Sequence, residues 1–245
     1  MRFWNFVNKP ATEKEPEQVE LRIEGEIIDD EDAWIAEWFG IKAVSPQAFK
    51  EELAKYDNKP LTVWIDSYGG SVFAATGIYN ALMERTGPVT VKIDSKAMSA
   101  ATIIAMAGGE ILMSPTALMM IHNPLTGVYG YASDLRKTAD VLDEVKEAIM
   151  NAYQIKTGRS RSKISVMMDG EMYMSAKTAI KEGFADGMLY ADGAADPVEM
   201  NFNRLAIVNS TTEAVKRMVA LMPPDSPDPP DNSKELAILA LQLEL

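Results

Sequence analysis

From Val19 onward the apolar positions switch between two rhythms. LRIEGEI reads as a strand, SPQAFKEELAKY as a helix with Ser45 at the N-cap and Pro46 in the first helical position, and LTVWID as a buried strand. The same order then returns. SYGG reads as a turn into the helix SVFAATGIYNALMERT, VTVKID as a strand, AMSAATIIAMAGG as a second apolar helix, and EILM and ALMMIH as two further strands. Strands alternating with helices predict an α/β fold with a largely parallel sheet.

Past the Pro- and Gly-containing loop NPLTGVYGYA, the residues Leu135, Ala139, Leu142, Val145, Ile149 and Ala152 recur every three or four positions. That spacing predicts one long amphipathic helix ending at Gly158. It either packs on the core or offers its apolar stripe to another subunit. In DGEMYMSAKTAIKEGFADG, alternation puts Asp169, Glu171 and Tyr173 on one strand face and Met172 and Met174 on the other. A helix capped by Ser175 and closed by Gly183 follows.

The ends of the chain break the pattern. Residues 1–18 mix Lys, Glu, Pro and Thr and are expected to form a flexible arm, leaving one domain over 19–197. The extension 198–245 holds a Pro/Asp-rich linker at about 222–232 and ends in KELAILALQLEL, a short apolar segment that reads as a docking tag or a terminal helix.

Composition narrows the function. At 245 residues and 47% hydrophobic, the chain suffices for one substantial core. With no cysteine, thiol nucleophiles, disulfides and Cys-ligated metals are excluded, and no cofactor or metal site is expected. A net charge of −12 argues against nucleic acid as partner. No apolar run suits a signal peptide or membrane span, so no membrane association and a cytoplasmic location are expected.

His122 is the sole histidine, so any imidazole-based mechanism must use it. It stands directly after a predicted strand, where open α/β sheets present their ligand crevices. Ser99 lies between a predicted strand and helix, where serine serves either as an N-cap or as a nucleophile beside unpaired first-turn amides. Ala100 follows it with a small side chain. Gly69 and Gly70 occupy the preceding strand-to-helix junction, so the amides of Gly70 and Ala100 form a candidate pair of oxyanion donors. A histidine base needs an acid on its other nitrogen, and Asp169, Glu171 and Asp186 are all candidates.

These pieces, IDSYGGSV, KAMSAATIIAMAGG, MMIHNP, the long helix ending in KTGRS, and MYMSAKTAIKEGFAD, together resemble the ClpP family of serine peptidases over roughly positions 19–190. The resemblance implies a crotonase-like spiral of ββα units with a long projecting helix, assembled into homo-oligomeric rings. It also implies a Ser-His-acid triad, with Ser99 as nucleophile and His122 as base. The family's usual aspartate stands four residues before the serine of the strand-to-helix turn; here that position is Glu171, ahead of Ser175. GGSVFAATGIYNALMERTG, SDLRKTADVLD and the added tail look most like the ClpP-related head maturation proteases of phages and prophages, which implies capsid or scaffold proteins as polypeptide substrates. No ATPase is encoded, so unfolding of folded substrates implies a separate ATPase partner. Competing expectations are a crotonase-type acyl-CoA enzyme, a serine-lysine peptidase, and a scaffold-like assembly protein that kept the fold without the activity.

Overall fold

The computed structural model describes residues 6–9, 18–56 and 59–190. The extension 198–245, with its linker and terminal segment, lies outside the described residues, as does most of the arm 1–18. Of that arm, Phe6–Lys9 forms strand β1, antiparallel to the start of β2 (Gln18–Ile27).

The chain then runs through α1 (Ala33–Phe39), β3 (Ala43–Val44), α2 (Pro46–Leu53), β4 (Leu61–Gly70) and α3 (Val72–Met83). It continues through β5 (Val89–Met98), α4 (Ala100–Ala105), β6 (Glu110–Met113) and β7 (Leu118–Ile121). Last come α5 (Ala132–Thr157), α6 (Arg161–Asp169), β8 (Met172–Ser175), α7 (Ala176–Glu182) and β9 (Gly187–Met188). Among the described residues the sheet runs β1-β2-β4-β5-β6-β9, with β3 beside β2 and β7 joining β5 to β8. Apart from β1–β2 and β7–β8, the pairings are parallel, as the alternation of strands and helices predicts.

The strands alternate as half-buried strands should. In β4 Val63, Ile65 and Ser67 are buried while Trp64 and Asp66 are only partly so, and in β5 Val91 and Ile93 are buried while Thr90, Lys92 and Asp94 are only partly so. Against this face pack α2, α3 and α4 through Phe49, Ile78, Leu82 and Ile104. Each such fully buried side chain contributes about 1.5–3 kcal/mol relative to exposure. The helix limits agree with their sequence signals: Ser45 precedes Pro46 at the start of α2, and Gly158 closes α5 in the left-handed conformation.

Four elements depart from the pattern reading. Strand β4 runs through SYGG to Gly70, and β5 runs through SKAM to Met98, because neighbouring strands continue to pair both segments past a bulge. Helix α1 is too short, and too exposed on Trp34, Trp38 and Phe39, to show an amphipathic period. Asp169 ends helix α6 instead of sharing a strand face with Glu171; Gly170 caps that helix and β8 begins only at Met172.

Strand β5 is forked. Thr90–Ile93 pairs with β6, and after a break Lys96–Met98 pairs with β7. The end of β5 therefore lies beside the end of β7, and both chains leave the sheet on the same side. Helix α5 does project: exposure prevails from Ala132 through Ala148, Leu135 and Val141 included, and full burial begins at Ile149.

Candidate active site

Ser99 follows Met98 at the end of β5 and adopts φ 53°, ψ −128°, a backbone conformation that strains a residue with a Cβ. Its N–H donates to the Met120 carbonyl at 2.8 Å, locking the turn to β7. Although it precedes α4, its side chain makes no capping bond. The hydroxyl instead lies 2.7 Å from Nε2 of His122, the residue immediately after β7. The side-chain capping role read for Ser99 is set aside, because its hydroxyl accepts no first-turn N–H and meets the imidazole instead.

His122 is half-buried, and burial lowers its pKa below the ordinary histidine value; the nearby Glu171 carboxylate raises it in part. The net direction favours a neutral ring whose Nε2 accepts the Ser99 proton. Among the described acids, Glu171 is the one whose charge reaches the ring, yet it does not hydrogen-bond it. Glu171 is itself exposed at φ 48°, between the cap of α6 and β8.

The other candidate acids are engaged elsewhere. Asp169 accepts from Asn123 Nδ2 at 2.9 Å and Lys146 Nζ at 2.6 Å, and those partners hold its carboxyl below the usual range. It ties the segment after His122 to α5. Asp186 accepts from the Ile111 N–H at 2.7 Å and Lys156 Nζ at 2.8 Å, joining β6 to the far end of α5.

The glycine pair abuts the serine turn. A Cβ on Gly69 would stand 2.7 Å from the Met98 carbonyl oxygen and 2.8 Å from the Ser99 Cβ, and one on Gly70 would stand 2.0 Å from the Ile27 carbonyl oxygen. Both have positive φ, so glycine is required twice over, by conformation and by space. Buried Ser67 braces them, accepting from the Gly69 N–H at 3.0 Å and donating to the Gly25 carbonyl at 2.6 Å. Gly70, Ser99, Ala100 and His122 line one cavity of about 370 Å³. Its wall also carries Asp29 and Asp32; burial first, then the charges of Asp29 and Glu31, raises the Asp32 pKa.

Sequence reasoning missed Thr102 and Tyr153, both buried beside this site. Tyr153 stands four residues after Ile149, so the stripe of α5 contained a signal for it. Nothing in the chain marks Thr102, whose neighbours are uniformly apolar.

A serine at a strained strand-to-helix turn, within hydrogen-bond distance of a histidine on the adjacent strand end, is the arrangement that serine hydrolases use. The family model described as Clp protease matches residues 51–192, more than half of the chain, and the protein belongs to that family of serine peptidases. The chain is 33% identical over 137 residues to the ATP-dependent Clp protease proteolytic subunit 1 of Chlamydia muridarum, covering 54% of this chain and 71% of that protein. It is 31% identical over 133 residues to the ATP-dependent Clp protease proteolytic subunit of Bacteroides fragilis, covering 54% and 64% respectively. Among the described residues no helix is long and apolar enough to cross a membrane.

Proposed function

We propose that the protein is a serine endopeptidase acting through Ser99, His122 and Glu171, with the Gly70 and Ala100 amides as oxyanion donors. The observation that carries this reading is the 2.7 Å approach of Ser99 Oγ to His122 Nε2 in the lining of the cavity. Ser99 Oγ attacks the scissile carbonyl while His122 Nε2 takes its proton, and the two amides receive the oxyanion. The tetrahedral species collapses as His122 returns that proton to the departing amine, leaving an acyl-Ser99 ester. Water, deprotonated by His122, then attacks the ester; the acid is released and Ser99 regains its proton. Glu171 stabilises the imidazolium by charge, consistent with its effect on His122.

The substrates are polypeptides, specifically capsid or scaffold proteins during phage head maturation in the bacterial cytoplasm. The support for that choice is the resemblance carried by residues 69–87 and 133–143. The protein forms a homo-oligomeric ring, supported by the exposed apolar residues Leu135 and Val141 on the first part of α5, and a separate ATPase delivers folded substrates. A weakly active or inactive assembly protein is the second reading, favoured by the missing hydrogen bond between Glu171 and His122.

The test is a fluorophosphonate adduct located by mass spectrometry. A single adduct on Ser99, lost in His122→Ala and reduced in folded Glu171→Ala, supports the triad. No adduct in the assembled protein favours the second reading. Capsid and scaffold chains co-expressed with the protein, compared against Ser99→Ala by terminal-peptide mass spectrometry, test the substrate assignment: identical termini in both overturn it.

A further inference from the structure

A buried hydroxyl chain leads from α5 to the nucleophile. Thr102 Oγ1 lies 2.5 Å from the Ser99 carbonyl oxygen and 2.6 Å from the Tyr153 hydroxyl. A carbonyl only accepts, so the single Thr102 proton is committed to Ser99, and Tyr153 must donate to Thr102. The direction of the chain is thus fixed: Tyr153 O–H to Thr102 O–H to Ser99 C=O. The Thr102 N–H donates to the same carbonyl at 2.9 Å.

The Ser99 carbonyl and the Ala100 N–H belong to one peptide unit, and no peptide among the described residues is cis. In a trans peptide these two groups point in opposite directions. Holding the carbonyl toward the buried Thr102 therefore turns the Ala100 N–H away from the interior, toward the cavity that Ala100 lines with Ser99 and His122. At the first helical position that N–H has no intrahelical acceptor, which leaves it available to a substrate oxygen. Ser99 has an unfavourable φ, so its peptide needs this bracing more than an ordinary one does.

We infer that Tyr153 and Thr102 are positioning residues that aim the Ala100 amide at the oxyanion, an assignment that rests on the proposed catalytic role of Ser99. Complete burial raises the Tyr153 pKa, so its hydroxyl keeps its proton throughout the working pH range. Tyr153 sits at the buried base of α5, edge-on to Phe184 at 5.4 Å between ring centroids, so the ring holds its place without the hydroxyl.

The experiment compares Tyr153→Phe, Thr102→Val and Thr102→Ser in the full chain, using fluorescein-labelled casein for kcat and KM and a fluorophosphonate for the labelling rate. Deleting an oxyanion donor outright costs about 10²–10³ in kcat, and misaiming one costs less. The expected result is a kcat lowered about tenfold in Tyr153→Phe and Thr102→Val with KM little changed, labelling slowed in parallel, and Thr102→Ser close to the parent. Parental kcat in folded Tyr153→Phe, or a rise in KM alone, overturns the inference; if Thr102→Val does not fold, Tyr153→Phe decides. An unsubstituted protein that forms no Ser99 adduct defeats the catalytic reading itself, and this inference with it.

Discussion

Replacing Gly69 with alanine probes how closely the serine turn is held. Its Cβ would meet the Met98 oxygen at 2.7 Å, the Ser99 Cβ at 2.8 Å and the Ala100 nitrogen at 2.9 Å, all shorter than real Cβ contacts allow. The obstacles are backbone and a Cβ, so no flexible side-chain tip can swing aside. The φ of +104° adds strain of about 1–3 kcal/mol for a residue with a side chain. Crowding in a packed region adds about 1–3 kcal/mol more. A loss of about 3 kcal/mol or more is expected, two orders of magnitude in the folding equilibrium. Whatever relaxation occurs displaces Ser99 from His122, and misplacement of a reacting group by about 1 Å costs about 10²-fold in rate. Gly40→Ala supplies the control: its φ is +66° but nothing lies within 4 Å, so only the conformational cost, about 1–2 kcal/mol, remains. Urea denaturation gives the stabilities, and fluorophosphonate labelling under conditions where both variants are folded gives the reactivities. If Gly69→Ala matches Gly40→Ala in stability and labels as fast as the parent, the close approach of the glycine loop to the nucleophile is refuted.

Because burial lowers the His122 pKa, the acidic limb of the labelling rate should fall below the ordinary histidine value; Glu171→Gln removes the charge that raises it and should move the limb lower still. The same shift makes the unfolded chain bind more protons than the folded one, so stability should fall as pH drops from about 6.5 through the folded-state pKa, and His122→Gln should abolish that decline in urea titrations. Asp169→Asn should leave the pH limb where it is, since its carboxylate is held by Asn123 and Lys146; a shift as large as that of Glu171→Gln would reverse the assignment of the acid. Phe49→Ala, at a fully buried position outside the lining of the cavity, should cost about 3–5 kcal/mol by urea denaturation while leaving the per-molecule labelling rate of the folded protein unchanged.

Strand and helix identity was legible wherever one face of an element is buried. The three-and-four spacing of α5 and the alternation in β4 carry their own period, and Ser45, Gly158 and Gly183 mark ends by local backbone chemistry. The extra length of β4 and β5 was not legible, because SYGG and SKAM are strands only through the neighbours that pair with them. That Ser99 and His122 would be brought together was readable from order and residue type, and the structure places them 2.7 Å apart. Whether Asp169 and Glu171 share a strand face turned on where α6 stops. Gly170 settles that through a C-cap, and a two-residue period drawn across it could not represent it. Thr102 was invisible because its function depends on a tyrosine 51 positions away in sequence.

The uneven burial of α5 divides that helix into two thermodynamic regions. From Ile149 on, its amides open only when the core does, because Ile149, Met150 and Tyr153 are sealed into it. Between Ala132 and Ala148 the backbone bonds have little tertiary packing to sustain them, and a helix of that length is marginal by itself in water. Amide hydrogen exchange along α5 should therefore step from fast to slow near Ile149 in a dilute, dissociated sample. Association that covers Leu135 and Val141 would erase the step, making the exchange profile of one helix a gauge of assembly.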